Sequence, residues 1–123
     1  MTATSTPVLL VEDDPLVLDC TAQLLSDGGC SVMRATSAGE AIAAIEAGPV
    51  PQMVVTDIEL ASEEGQSGLD LARIVAERWP QVRLLIVSGA ERPAKGEYPD
   101  GAVFFTKPYA GGALLEMVNS PDW

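Results

Sequence analysis

Val8-Leu9-Leu10-Val11-Glu12-Asp13-Asp14-Pro15 is the stretch that decides how this chain folds. Four consecutive apolar residues, too few for a helix and without polar alternation, suit a short strand covered on both faces. Three acids follow at once. The third, Asp14, stands before Pro15, which is the pairing of a helix N-cap with proline at the opening helical position. A buried strand that runs directly into a helix is the first half of a parallel-sheet unit, and it leaves Glu12 and Asp13 at the strand's carboxyl end.

The same alternation continues outward along the chain. Further strands are predicted at Cys30 to Ala35, Met53 to Thr56, Val82 to Val87 and Ala102 to Phe105, after the first at Val8 to Val11. All are short and almost wholly apolar, as strands covered on both faces should be. Gly28-Gly29 ends the first helix. Ser37 and Glu40 have the spacing of a capping box ahead of Ala41, Ile42 and Ile45, and Gly48-Pro49 stops that helix. Ser67 caps a third, carried by Leu71, Ile74 and Val75 and stopped at Trp79-Pro80.

The fourth connection departs from the pattern. Glu91 to Gly101 contains Pro93, Gly96, Pro99 and Gly101 and has no apolar stripe, so a stable helix is not expected and mobility is. A short last helix is expected from about Gly111 to Val118. The fold class is therefore α/β, a doubly wound five-stranded parallel sheet of order 2-1-3-4-5 in one domain over 1–123, with its core at about 7–118.

Composition narrows the chemistry. With 123 residues and 47% apolar content, one core is large enough to stand without disulfides or a structural metal. Seven Lys and Arg against eighteen Asp and Glu give a net charge of -11, which repels nucleic acid and anionic membranes. No apolar run is long enough for a membrane span, and Met1 to Pro7 has neither the basic start nor the apolar stretch of a signal peptide, so a cytoplasmic location is expected. No histidine is present, which removes the Ser-His and Cys-His nucleophile pairs. Cys20 and Cys30 are expected to be small buried hydrophobes.

A sheet of this order has its crevice between strands one and three, outside their carboxyl ends. Glu12, Asp13 and Asp14 follow strand one, and Asp57 follows strand three. Carboxylates at such range repel, and a hard divalent cation with oxygen ligands relieves them; Mg2+ is the natural choice. Asp14 is better explained as a helix-start acid, whereas Asp13 with Asp57 is better explained as a site. Ser88-Gly89 and Thr106-Lys107-Pro108, at the ends of strands four and five, add a hydroxyl and an ammonium to the same edge. This set suits phosphoryl chemistry. A carboxylate attacks phosphorus once the negative charges are neutralised, while Lys and Ser hold the remaining oxygens.

The chain resembles, over nearly its whole length, the receiver domains of two-component response regulators, the CheY-like family. The resemblance rests on Val8 to Pro15, on Val54-Val55-Thr56-Asp57-Ile58-Glu59-Leu60, on Leu85-Ile86-Val87-Ser88-Gly89 and on Phe105-Thr106-Lys107-Pro108-Tyr109, four motifs in order at strand ends. It implies that Asp57 accepts a phosphoryl group from a sensor histidine kinase or a histidine phosphotransfer protein, and that the phosphorylated form then acts on an output protein. It implies further that Asp13 and Asp57 ligate Mg2+, Glu12 through water, with the main-chain carbonyl of Glu59 completing the protein ligands. Ser88 and Lys107 would contact the phosphoryl oxygens, and Phe104 would be the switch aromatic. No activity is implied beyond the domain's own phosphorylation and dephosphorylation.

The departures from the family pattern concern its surroundings. Ala61 stands where proline is usual, and the loop to Gly68-Leu69, carrying Glu59, Glu63 and Glu64, is about three residues longer than is common. The fourth helix is broken and the last is short. The sequence leaves open both a stand-alone receiver and one module of a larger protein. Among rivals, a haloacid dehalogenase-type phosphatase needs Asp-x-Asp directly after its first strand, and a flavodoxin needs a hydroxyl- and Gly-rich loop there. Neither is present. A pseudo-receiver, binding partners without phosphate, is the serious alternative; retention of Asp13, Asp57, Ser88 and Lys107 together argues against it.

Overall fold

Strand and helix alternate as the start and stop residues dictate, in β1 (Thr6–Val11), α1 (Pro15–Asp27), β2 (Cys30–Ala35), α2 (Ala38–Ala47), β3 (Met53–Asp57), α3 (Gly68–Arg78), β4 (Arg83–Ser88) and β5 (Val103–Thr106). The computed structural model describes residues 6–58, 67–88, 99, 101–106 and 116. The strands form one parallel sheet in the order β2-β1-β3-β4-β5, as expected for the doubly wound class. The expected break over Glu91 to Gly101 falls outside the described residues except at Pro99 and Gly101, and the expected last helix does so except at Glu116.

Each helix start is held by the side chain its sequence offers. Asp14 Oδ1 accepts from the amides of Leu16 and Val17 at 2.9 and 3.3 Å, with Pro15 in the first turn of α1. Ser37 Oγ accepts from Glu40 N at 3.1 Å. The expected reciprocal half of that box is different. Glu40 reaches past Ser37 to Thr36, accepting from its amide at 3.1 Å and its hydroxyl at 2.9 Å. At α3 both halves are present: Ser67 Oγ accepts from Asp70 N, and Asp70 Oδ2 accepts from Ser67 N.

The helices divide between the two faces of the sheet. Leu18, Ala22 and Leu25 of α1 pack with Val8, Leu10, Val55 and Leu85 on one face. Ala38, Ala41 and Ile45 of α2 join Leu71, Ala72 and Val75 of α3 over Leu9, Val11, Val54 and Ile86 on the other. Alternate residues of each strand thus feed opposite cores, as the period of two requires. An ion pair from Arg78 to Glu46 at 2.7 Å ties α3 to α2 at the surface, where such pairs contribute about 0–1 kcal/mol.

Two expectations are corrected. Covered faces hold for β1, β3 and β4, but β2 exposes Ser31 and Arg34, because it is an edge strand that only partly lies under helices. Cys20 is exposed and only Cys30 is buried. On α1 the buried face runs through Leu18, Ala22 and Leu25, and Cys20 lies off it. Burial pushes the Cys30 thiol up from its ordinary value.

Candidate functional site

The crevice forms where two neighbouring strands send their following helices to opposite faces. β1 leads into α1 on one face, while β3 leads toward α3 on the other. Between them, at the carboxyl edge, stand Glu12 and Asp13 after β1 and Asp57 as the last residue of β3. The pairing of β3 with β4 runs on beyond Asp57, since Ile58 N donates to Val87 O at 2.9 Å. Asp57 was expected just after its strand; the ladder instead holds it within the sheet, with Val87 as its register partner.

Glu12, Asp13 and Asp57 each offer a carboxylate oxygen, and the three oxygens lie within 4.8 Å of one another. Glu12 and Asp57 are buried and Asp13 is half-buried. The Asp14 amide donates to Glu12 Oε2 at 3.2 Å, so the turn into α1 also orients that carboxylate. Asp14 itself faces the amides of α1, which divides the three consecutive acids into two at the crevice and one at the helix start. Leu10, Val11, Thr21, Val55 and Val87 close the space beneath the acids.

Three hard anionic oxygens with neither sulfur nor imidazole among them match the ligand preference of Mg2+. Bringing them together costs electrostatic energy in a site shielded from water, and a divalent cation offsets it. The donor set therefore fits the metal that the sequence points to.

Ser88 is buried at the end of β4, one position beyond the residue paired with Asp57, and opposite Thr106 of β5. Lys107, which follows β5 directly, and Glu59 lie outside the described residues. Phe104 is half-buried in β5, opposite Ile86, and packs against the core shared by α2 and α3.

The family model of the response regulator receiver domain matches residues 8–119. The chain belongs to that family. It is 33% identical over 119 residues to the transcriptional activator protein ExaE of Pseudomonas putida, covering 91% of this chain and 53% of that protein; the chain thus spans about half the length of this relative. A CheY-like receiver domain protein from Methanospirillum hungatei superposes with a TM-score of 0.81 at 28% identity, covering 94% of this chain and 91% of that one. The receiver domain of NtrX from Brucella abortus gives 0.80 at 29% identity, covering 89% and 92%.

Two residues beside the receiver's crevice escape a reading of the sequence for chemistry. Thr56 is fully buried, and its hydroxyl donates to the carbonyl of Asp57 at 3.2 Å. Gly68, the first residue of α3, lies so close to the Asp57–Ile58 peptide that a Cβ there would overlap it. A glycine directly after the Ser67 cap, where other residues start a helix as well, was the available signal. Among the described residues no helix is long and apolar enough to cross a membrane.

Proposed function

We propose that this receiver is a phosphoacceptor in a two-component phosphorelay, with Asp57 as the residue that takes the phosphoryl group. The observation that carries this reading is the meeting of three carboxylate oxygens within 4.8 Å, one of them at the end of β3. A scaffold stabilised by burial alone has no use for that arrangement.

Asp57 acts as nucleophile. A carboxylate oxygen attacks phosphorus, the new O–P bond forms as the P–N bond to the donor's imidazole breaks, and the departing imidazole takes a proton from water. Asp13 and Asp57 would hold Mg2+ directly and Glu12 through water, and the bound ion would neutralise the acids and the incoming phosphoryl oxygens. By the family resemblance, the carbonyl of Glu59, outside the described residues, would complete the protein ligands. Ser88, from the end of β4, donates its hydroxyl to one phosphoryl oxygen, and the Lys107 ammonium, after β5, pairs with another. The movement of Ser88 toward the phosphate is what Phe104 answers by turning inward, changing the surface that an output protein reads.

The phosphodonor, a sensor histidine kinase or a phosphotransfer protein, reaches Asp57 over the first turn of α1. Leu16 supports that approach. It is 71% exposed, next to the acids, whereas Val50, the other large apolar side chain left exposed among the described residues, precedes β3 at the opposite edge. The domain acts in the cytoplasm, where its donors present their histidines, and engages neither membrane nor nucleic acid directly.

Incubation with Mg2+ and acetyl phosphate, followed by intact mass and location of the adduct, tests this function. One phosphoryl group on Asp57 is expected, with none in the absence of Mg2+. A wild-type chain that stays unmodified while still binding a partner would instead make it a pseudo-receiver.

A further inference from the structure

We propose that Thr56 and Gly68 form a clamp on the main-chain carbonyl of Asp57, and that this clamp sets where the Asp57 carboxylate stands against Glu12 and Asp13. The proposal rests on the phosphoacceptor reading, and it makes Thr56 and Gly68 positioning residues.

On the α3 side, a Cβ built at Gly68 would come 2.0 Å from Asp57 O, 2.7 Å from Asp57 C and 2.8 Å from Ile58 Cα. All three are main-chain atoms, so no side chain can swing aside. The absent side chain is what lets the helix start lie against the acceptor peptide, and Gly68 N donates to Ile58 O at 3.2 Å across the same contact. The helix has little freedom to withdraw. Its start is locked by the Ser67–Asp70 capping box, and Leu71 and Ala72 fix its next turn in the core. Ile58 N is committed to β4, so the short Asp57–Ile58 link is held from both sides.

Thr56 grips the same carbonyl from within the strand. Its neighbours Val54 and Val55 are buried just as completely without a hydroxyl, so packing alone does not call for threonine here. The buried hydroxyl is satisfied by Asp57 O at 3.2 Å, and the bond restrains the rotation of the peptide that carries the nucleophile. Displacement of a reacting group by about 1 Å can cost about a hundredfold in rate, which is the sensitivity such a clamp would exploit.

The test compares wild type, Gly68→Ala, Thr56→Val and Val75→Ala, the last a core substitution on α3 away from the acceptor. Mg2+ affinity is read by titrating backbone amide NMR shifts, and phosphorylation by acetyl phosphate is read by intact mass. Gly68→Ala is expected to weaken Mg2+ binding by about tenfold and to slow phosphorylation at least as much, with Thr56→Val at about threefold. Val75→Ala should lower the melting temperature yet keep Mg2+ affinity within about twofold of wild type. The clamp is overturned by Gly68→Ala binding Mg2+ like wild type, or by Val75→Ala losing as much affinity. Should Gly68→Ala fail to fold, wild-type Mg2+ affinity in Thr56→Val overturns it instead. A wild type that takes up neither Mg2+ nor phosphate removes the phosphoacceptor reading itself, and the clamp with it.

Discussion

The lower and upper parts of the same strands are equally buried and chemically opposed. In β3, Met53, Val54 and Val55 are 1%, 0% and 2% exposed, and Thr56 and Asp57, directly above them, are 0% and 6% exposed. β1 ends at Val11 and gives way to Glu12, and β4 passes from Val87 to Ser88, with all four residues buried. Burial alone would select apolar side chains at all four upper positions, since a polar group removed from water is costly unless paired. Stability accounts for the lower part; the upper part is chosen for something stability does not require.

The largest effect should separate the two parts completely. Asp57→Asn is expected to abolish phosphorylation by acetyl phosphate while the protein stays folded, as intact mass and circular dichroism would report. Retained modification elsewhere in the folded variant would break the assignment of the upper part to Asp57. Conversely, Leu85→Ala in the lower part should cost about 2–5 kcal/mol in urea unfolding, because it leaves a cavity under α1. Its Mg2+ affinity in the folded state should match wild type.

The sequence made the first half of this contrast plain and much of the second. Val8 to Val11 announces a covered strand, Asp14-Pro15 a capped helix, and the order of apolar runs alone places Asp13, Asp57 and Ser88 on one edge. What escaped was whatever depends on contact between distant segments. Strand ends shift by one or two residues because hydrogen bonding across the sheet, such as Ile58 N to Val87 O, sets them. Cys20 is exposed against expectation because composition does not say which helix face a residue takes. Gly68 looked like the end of a loop; its closeness to Asp57 appears only when α3 docks.

Smaller effects sharpen the contrast further. Mg2+ should stabilise the wild type by linkage, by about 2.7 kcal/mol at a hundred times its dissociation constant, read as a rise in melting temperature. Asp13→Asn should remove most of that rise. An unchanged melting temperature in wild type at millimolar Mg2+ would show that the three acids are not a metal site. Without metal, Asp57→Asn should be more stable than wild type by about 1 kcal/mol, since it removes one of three like charges held within 4.8 Å. A destabilised Asn variant would mean that other interactions of Asp57 outweigh that repulsion.

The smallest effect belongs to Glu40, an acid near the same edge of the sheet whose task is structural. Its carboxylate accepts from the amide and hydroxyl of Thr36, and these bonds hold its pKa below the ordinary glutamate value. A carboxyl whose folded pKa is lowered contributes stability above its unfolded pKa and loses it as pH falls through the folded one. Glu40→Gln should therefore be slightly less stable than wild type at neutral pH, with the gap closing as acid carries the glutamate through its lowered range. The effect is small because the pair lies in water, which screens it. Phosphorylation and Mg2+ binding should be unaffected, since Glu40 serves the turn into α2 and lies outside the three-acid cluster. Thermal unfolding of both proteins across the acid range decides this, and a gap that widened as the pH fell would show that the Thr36 bonds do not favour the charged carboxylate.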